Sequence, residues 1–224
     1  MSDNQLSRVW DAVEKVCTAI KGDYERIEVA GSLRRAKPDP HDGEIVLIPK
    51  PSLWPHLDDL VKAGTFGKAV YGDKQTNRWN GHAYRGLEVD GVTVEIFCAK
   101  PETWGYIYWL RTGPGDANQY LVARLWASRL RAQDGGIWYA KDWTQDRHQK
   151  WVSLTRQQVR VESERDFFAL VGMSYLPPQH RNKAVYERAF ESPSHRWGDP
   201  VPLLMPSTTA SEKPADQPNQ QRLF

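Results

Sequence analysis

Two carboxylates one residue apart, Asp42 and Glu44, stand at the mouth of the apolar run EIVLIP, shortly after the adjacent cations Arg34 and Arg35. Alternate side chains of a strand share a face, so both acids project to one side, roughly 7 Å apart at about 3.3 Å per residue. Like charges held that close repel. The arrangement becomes favourable around a divalent cation, because Mg2+ takes hard oxygen ligands and borrows the rest of its shell from water and substrate phosphates. A third acid, Glu95 in VTVEIFC, sits among alternating apolar residues, where an unpaired carboxylate is costly to bury. On the same face it completes a three-carboxylate site, and two ions in such a site serve an in-line phosphoryl displacement. Upstream, Gly31 permits close backbone approach and Ser32 offers a hydroxyl for phosphate oxygens; Arg34 and Arg35 then lie beside a triphosphate. A lone acid-x-acid pair or a lone Gly-Ser says little. Their order, followed by a later strand acid, points to metal-assisted nucleotide chemistry.

The elements that must hold these residues are legible in outline. Leu6, Val9, Ala12, Val13, Val16 and Ile20 recur at helical spacing and predict an opening helix, with Ser2 or Asp3 as cap, that stops near Gly22. RIEVA, EIVLIP, KAVYG, YRGLEVD and VTVEIFC read as strands, the last two joined by the hairpin pair Asp90-Gly91. PSLWPHLDDLVKAG, PETWGYIYWL and GDANQYLVARLWASRLR read as helices. GGIWY and KWVSL are strand-like, and ESERDFFALVG is a helix with Ser163 and Asp166 in capping-box spacing and Gly172 as its stop. The prediction is an α+β fold: a mostly antiparallel or mixed sheet covered by helices, with a small α+β unit appended. Residues 1–112 form the first unit and 113–191 the second; 192–224, rich in Pro, Ser, Thr, Gln and Asp, form a flexible tail.

At 224 residues the chain is long enough to bury one good core, with room for a small satellite. A formal charge of +2 leaves any nucleic-acid partner to a local basic face. Cys17 and Cys98, far apart in apolar surroundings, suit buried reduced thiols and a cytoplasmic setting. The chain has no run of about 18 apolar residues and no basic, apolar leader, so no membrane partner is expected.

On these motifs the sequence resembles DNA polymerase family X, the group of polymerase beta within the nucleotidyltransferase superfamily, from about Arg26 to Arg181. GSLRR followed by HDGEIVLI is similar to that family's Gly-Ser-x-Arg-Arg and Gly-Asp-x-Asp motifs, and VTVEIFC to the strand bearing its third carboxylate. RTGPGDANQYL resembles its Tyr-Phe-Thr-Gly segment and the next helix, and ERDFFALVGMSYLPPQHR its thumb signature. The resemblance implies a palm (1–112) and a thumb (113–191). It implies that Asp42 and Glu44 bridge two Mg2+ ions, that Glu95 serves the ion near the primer 3′-hydroxyl, and that Ser32 and Arg35 contact the triphosphate. Gly31, Arg34, Leu110, Arg111, Thr112, Gly113 and Asn118 complete the nucleotide site, while Gly72 and Lys74 approach the primer strand.

The departures are chemical. Glu replaces Asp at 44 and 95, each carboxylate moving outward by one methylene, which admits Mn2+ more readily. His41 replaces a glycine, and Leu110 and Arg111 replace the Tyr-Phe pair beside the sugar, which bears on ribonucleotide discrimination. No lyase domain is represented. DNA contact then falls to Arg124, Arg129, Arg131 and Lys150 in the basic stretch from Arg124 to Arg160, through phosphate neutralisation; its tryptophans, Trp126, Trp138, Trp143 and Trp151, read as core. The closing QPNQQRLF, with Gln220, Leu223 and Phe224, resembles a bacterial sliding-clamp-binding motif.

The expected function is a minimal, monomeric DNA-directed DNA polymerase. It acts on primer-template or gapped DNA and nucleoside triphosphates, in repair or replication, in a bacterial or bacteriophage setting. The alternatives are a template-independent nucleotidyltransferase and a catalytically degenerate DNA- and clamp-binding module.

Overall fold

The computed structural model describes residues 2–69 and 83–191. Helix α1 (Ser2–Ala19) buries the stripe read from the sequence, Val9, Ala12, Val13 and Val16, and the chain turns away at Gly22, whose φ of +101° suits glycine. Strands β1 (Tyr24–Val29) and β2 (Gly43–Pro49) flank a short helix, α2 (Gly31–Arg34), which the sequence reading had not assigned. After α3 (Leu53–Lys62) come β3 (Gly67–Lys68), β4 (Tyr84–Val89) and β5 (Val92–Cys98). Asp90 and Gly91 join the last two with φ of 52° and 73°, as an Asp-Gly hairpin turn requires. Of the predicted strand KAVYG only its beginning is described; Gly72 and Lys74 lie outside the described residues, as does everything from Ser192 onward.

The five strands form one mixed sheet in the order β1-β2-β5-β4-β3, with β2 and β5 parallel and every other neighbour antiparallel. Strand alternation sorts its faces. Ile45, Leu47, Val94 and Ile96 pack with Val9, Val13 and Val16 of α1, while Val46 and Phe97 face the other way, into a second core. Glu44 and Glu95 have the parity of Val46 and Phe97, so they belong to the face away from α1.

That face is covered by α4 (Trp104–Thr112), entered through a 3-10 turn at Pro101–Thr103. Helix α4 is buried nearly all round because a second lobe packs on its far side. The lobe begins with α5 (Gly115–Arg124). The predicted longer helix breaks here: a 3-10 turn (Leu125–Ser128) ends at Arg129, in the left-handed region at φ 57°, and the chain leaves as β6 (Leu130–Gln133). Burial of Leu130 and its sheet pairing outweigh helical propensity. Asp134-Gly135, the same turn signal as Asp90-Gly91, leads into β7 (Gly136–Tyr139). Then come β8 (Thr144–Gln145), β9 (Trp151–Val152) and β10 (Gln157–Val159). Strands β10-β7-β6 form a small antiparallel sheet and β8-β9 a hairpin. KWVSL is therefore strand only over Trp151–Val152.

Helix α6 (Glu164–Leu170) starts with the expected capping box: the Asp166 N–H donates to Ser163 Oγ at 3.3 Å and the Ser163 N–H to Asp166 Oδ2 at 2.8 Å. It stops at Gly172, φ +74°. Helix α7 (Lys183–Phe190), capped by Asn182, was not anticipated; its Tyr186 and Phe190 close the second core. Where α4 passes the start of α6, Gly105 is essential: a Cβ there would lie 2.1 Å from the Ser163 carbonyl carbon and oxygen. Cys17 and Cys98 are free thiols, each pushed up to about 12 by burial. No helix among the described residues is long and apolar enough to cross a membrane.

Candidate active site

The parallel pairing of β2 with β5 sets the geometry. Glu44 and Glu95 are direct register partners, so their carboxylates leave the same face of adjacent strands about 4.8 Å apart. Asp42, just before β2, shares their parity. On the far side of β5 the partner of Glu95 is Gly86, which adds no side chain to this face. The three sequence-predicted acids are thus brought together.

Their electrostatics show crowding. Burial pushes the Glu44 carboxyl up to about 7, with repulsion from Asp42 and Glu95 adding to it. Burial also raises Asp42, again with help from Glu95. Against them stand Arg35, whose charge acts on Glu44 and Asp42, and Arg111, whose charge acts on Glu44 and Glu95. Burial lowers the pKa of both arginines. Glu95 accepts a 2.6 Å hydrogen bond from the Tyr84 hydroxyl, a partner that sequence reasoning missed although Tyr84 stands two residues before Gly86 on β4.

Helix α2 presses against this cluster. Gly31, at φ +61°, lies so close to Glu44 that a Cβ there would come within 1.8 Å of Glu44 Oε2. The expected close backbone approach therefore exists, toward a carboxylate of the chain itself. Ser32 follows with its hydroxyl buried and without a hydrogen-bond partner.

Arg34, expected beside a triphosphate, is committed elsewhere. Its guanidinium forks onto Glu164 of α6 with two bonds of 2.7 Å, donates to Thr112 Oγ1 at 2.8 Å and stacks 3.7 Å from the Tyr108 ring. Arg181 donates to the same Glu164 at 2.5 Å. Burial works against the Glu164 charge, but these two arginines prevail and hold its carboxyl below its ordinary value. The expected capping box had marked Glu164 only as the first residue of a helix.

An open cavity of about 550 Å³ adjoins the acids, lined by Arg35, Glu44, Leu110, Arg111, Gly113 and Asn118, with Tyr106 at its wall and α5 and β6 across from them. Thr112 is fully buried, and Arg35 donates to its carbonyl. Arg111 stacks 3.8 Å from the Phe97 ring. Asn118 donates to the carbonyls of Leu110 (2.7 Å) and Gly113 (3.1 Å), and a Cβ on Gly113 would meet its Oδ1 at 2.1 Å. That Oδ1, Ser32 Oγ and the Nε atoms of Arg35 and Arg111 are all buried without a hydrogen-bond partner. Arg35, Arg111 and Asn118 line the cavity, so three of these four unsatisfied groups stand beside space for a polar ligand, while Ser32 lies outside its lining.

The donor set suits divalent cations in kind: three hard carboxylates, two of them raised by burial and, after it, by mutual repulsion that a cation would relieve. Among the described residues, however, no three His, Cys, Asp or Glu side chains are drawn into a closed ligand cluster. The acids face one another without meeting at a point.

The residues predicted to hold DNA separate. Arg124 is only 6% exposed and lies 3.5 Å from the Phe190 ring, so it packs α5 against α7 and is not a surface cation. Arg129 and Lys150 are exposed and Arg131 is half-buried; Lys74 lies outside the described residues. The tryptophans depart from the sequence reading in part: Trp126 is 52% exposed, Trp138, Trp143 and Trp151 are partly buried, and the buried ones are Trp104 and Trp109. A surface lobe too thin for its own core leaves them there. Gln220, Leu223 and Phe224 also lie outside the described residues.

No protein-family model matches the chain, and no curated protein does. Among solved structures, the chain is similar to the polymerase beta of Leishmania infantum in a ternary P/T complex: 16% identity, TM-score 0.56, covering 81% of this chain and 76% of that one. At that identity the likeness is one of fold, and the fold is polymerase beta-like.

Proposed function

We propose that this chain is a metal-dependent nucleotidyltransferase that adds nucleotides to the 3′-hydroxyl of a DNA primer, filling short gaps in repair or replication. The observation that carries this reading is the register pairing of Glu44 with Glu95 beside Asp42, on a face that opens into a cavity lined by Arg35 and Arg111. The polymerase beta-like fold supports it. In this reading residues 1–112 are the palm, 113–191 the thumb and 192–224 a tail.

Asp42, Glu44 and Glu95 would hold Mg2+ or Mn2+ ions, which supply an activated hydroxyl and relief of charge at the leaving oxygen. Arg35 and the orphaned Ser32 hydroxyl bind phosphate oxygens, and Gly31 leaves room for Glu44. Arg34 acts at one remove: clamped to Glu164, it fixes α2 and thereby the position of Ser32 and Arg35. Asn118, locked by two carbonyls, turns its unpartnered Oδ1 to the incoming nucleotide. Leu110 and Arg111 stand where the sugar and base lie. A clamp partner for Gln220, Leu223 and Phe224 belongs to the same proposal, and a pull-down with the tail deleted tests it.

The deciding experiment is extension of a labelled primer on gapped and on unpaired DNA, with each single nucleotide, in Mg2+ or Mn2+, beside Asp42→Asn. Templated addition that disappears in Asp42→Asn supports the proposal. Addition without a template would transfer it to a template-independent enzyme. DNA binding without addition in either metal would leave a non-catalytic binding module.

A further inference from the structure

Among the described residues the large hydrophobic side chains left in solvent are Trp126 (52% exposed), Val152 (40%) and the fully exposed Leu154, all on the outer part of the second lobe. They belong to an organised surface. Trp126 and Trp151 meet edge to face with centroids 6.0 Å apart. The Arg131 guanidinium lies 4.4 Å from the Trp151 ring, 5.1 Å from Trp126 and 5.8 Å from Trp143, so one cation spaces three indoles. The Trp143 indole N–H donates to the Arg129 carbonyl at 2.7 Å, which fixes that ring. None of these residues lines the cavity beside the carboxylates.

The charge on the same segments is lopsided. Arg129, Lys141, Arg147 and Lys150 are exposed. The acids between them are exposed or partly so, but each is engaged locally: Asp134 pairs with Arg156 at 2.7 Å, Asp142 accepts from the Ser153 and Thr155 hydroxyls, and Asp146 accepts from the backbone N–H of His148 and Lys150. One exposed indole, two partly exposed ones grouped with it around Arg131, and four exposed cations thus lie on the same segments.

We infer that this surface is a stacking platform for single-stranded nucleic acid, separate from the transfer site. Cations alone would grip a duplex by its phosphates, but a duplex hides the faces of its bases; exposed indoles find partners only in unpaired ones. An apolar protein partner would leave the surrounding cations without a counterpart. The inference goes beyond the transferase reading and does not rest on it, since binding here requires neither nucleotide nor metal.

The test is fluorescence anisotropy of a labelled oligo-dT of about a dozen nucleotides, which fits the site sizes of such surfaces. A duplex of the same length runs in parallel, in metal chelator so that failure of catalysis cannot affect the result. The expected result is single-strand binding that weakens linearly in log affinity with log salt. Trp126→Ala should weaken it about tenfold while changing duplex affinity less than about twofold, and Lys150→Ala should flatten the salt slope by about 0.7. Trp126→Leu, which keeps an apolar side chain but removes the stacking face, gives the same reading should truncation to alanine disturb the fold. Equal losses on single strand and duplex, unchanged affinity in both platform variants, or no single-strand binding at low salt would overturn the inference.

Discussion

Replacing Glu164 by Gln tests the joint between the two lobes. Glu164 exposes 7% of its surface, and its two oxygens receive three charged hydrogen bonds, two from Arg34 and one from Arg181. The side chains of those arginines expose 9% and 0%. Glutamine keeps the shape but presents an amide nitrogen to one prong of the Arg34 fork and leaves two buried cations without an opposing charge. Removing one partner of such a buried pair costs about 3–5 kcal/mol, a large share of the roughly 5–15 kcal/mol that holds a domain together. Urea unfolding at pH 7 should show that loss. The pH dependence supplies a second check. The Glu164 carboxyl titrates below its ordinary value, so its contribution is fully present above about pH 4.3 and fades as the pH falls through the lower folded value. The gap between wild type and Glu164→Gln should therefore close in acid. A loss under about 1 kcal/mol at pH 7, or a gap unchanged as far into acid as the wild type stays folded, would refute the reasoning.

Other expectations follow from the site. Gly31→Ala sets a left-handed backbone at a cost of about 1 kcal/mol and drives Glu44 from its place. Primer extension should fall by more than about a hundredfold while the unfolding midpoint moves only a few degrees, and wild-type extension would show that Glu44 is not held as described. Glu44, raised to about 7, keeps its proton in the folded state while the unfolded chain loses it. Metal-free protein should therefore lose stability, by about 3 kcal/mol, as the pH rises from about 4.5 through 7. Thermal unfolding of Glu44→Gln across that range should lack this slope. Leu110→Tyr, at the cavity wall, should raise the preference for deoxyribonucleotides over ribonucleotides in single-nucleotide addition; an unchanged ratio would remove Leu110 from the sugar's surroundings.

How much of this was legible depended on whether the signal was local. Strand alternation put Asp42 and Glu44 on one face, because the period of a strand is fixed by its backbone, but left Glu95 conditional, since only the β2–β5 pairing brings it to that face. Capping chemistry likewise gave the start of α6. The Arg34 clamp was not legible: a Gly-Ser-x-Arg-Arg string offers two arginines for a phosphate, and only the approach of α6, far along the chain, diverts one of them to Glu164. The overlong helix after Gly115 failed for a related reason: nothing local in the run of Leu, Ala and Arg shows that Leu130 pairs as a strand with Tyr139. The tryptophans were misplaced because hydrophobicity reports what a side chain prefers and says nothing of whether a thin lobe has an interior to offer.

The parallel seam between β2 and β5 also governs how the molecule is made. Neighbouring strands in the rest of the sheet meet through antiparallel pairings, but this seam joins segments separated by α3, β3 and β4, so loop-closure entropy must be met before its hydrogen bonds form. The same step drives Glu44 against Glu95. Closure of this non-local seam and assembly of the repulsive acid cluster are therefore one event. In mildly acidic solution Glu44 takes up a proton as the seam closes, so the pairing forms against less repulsion than at neutral pH.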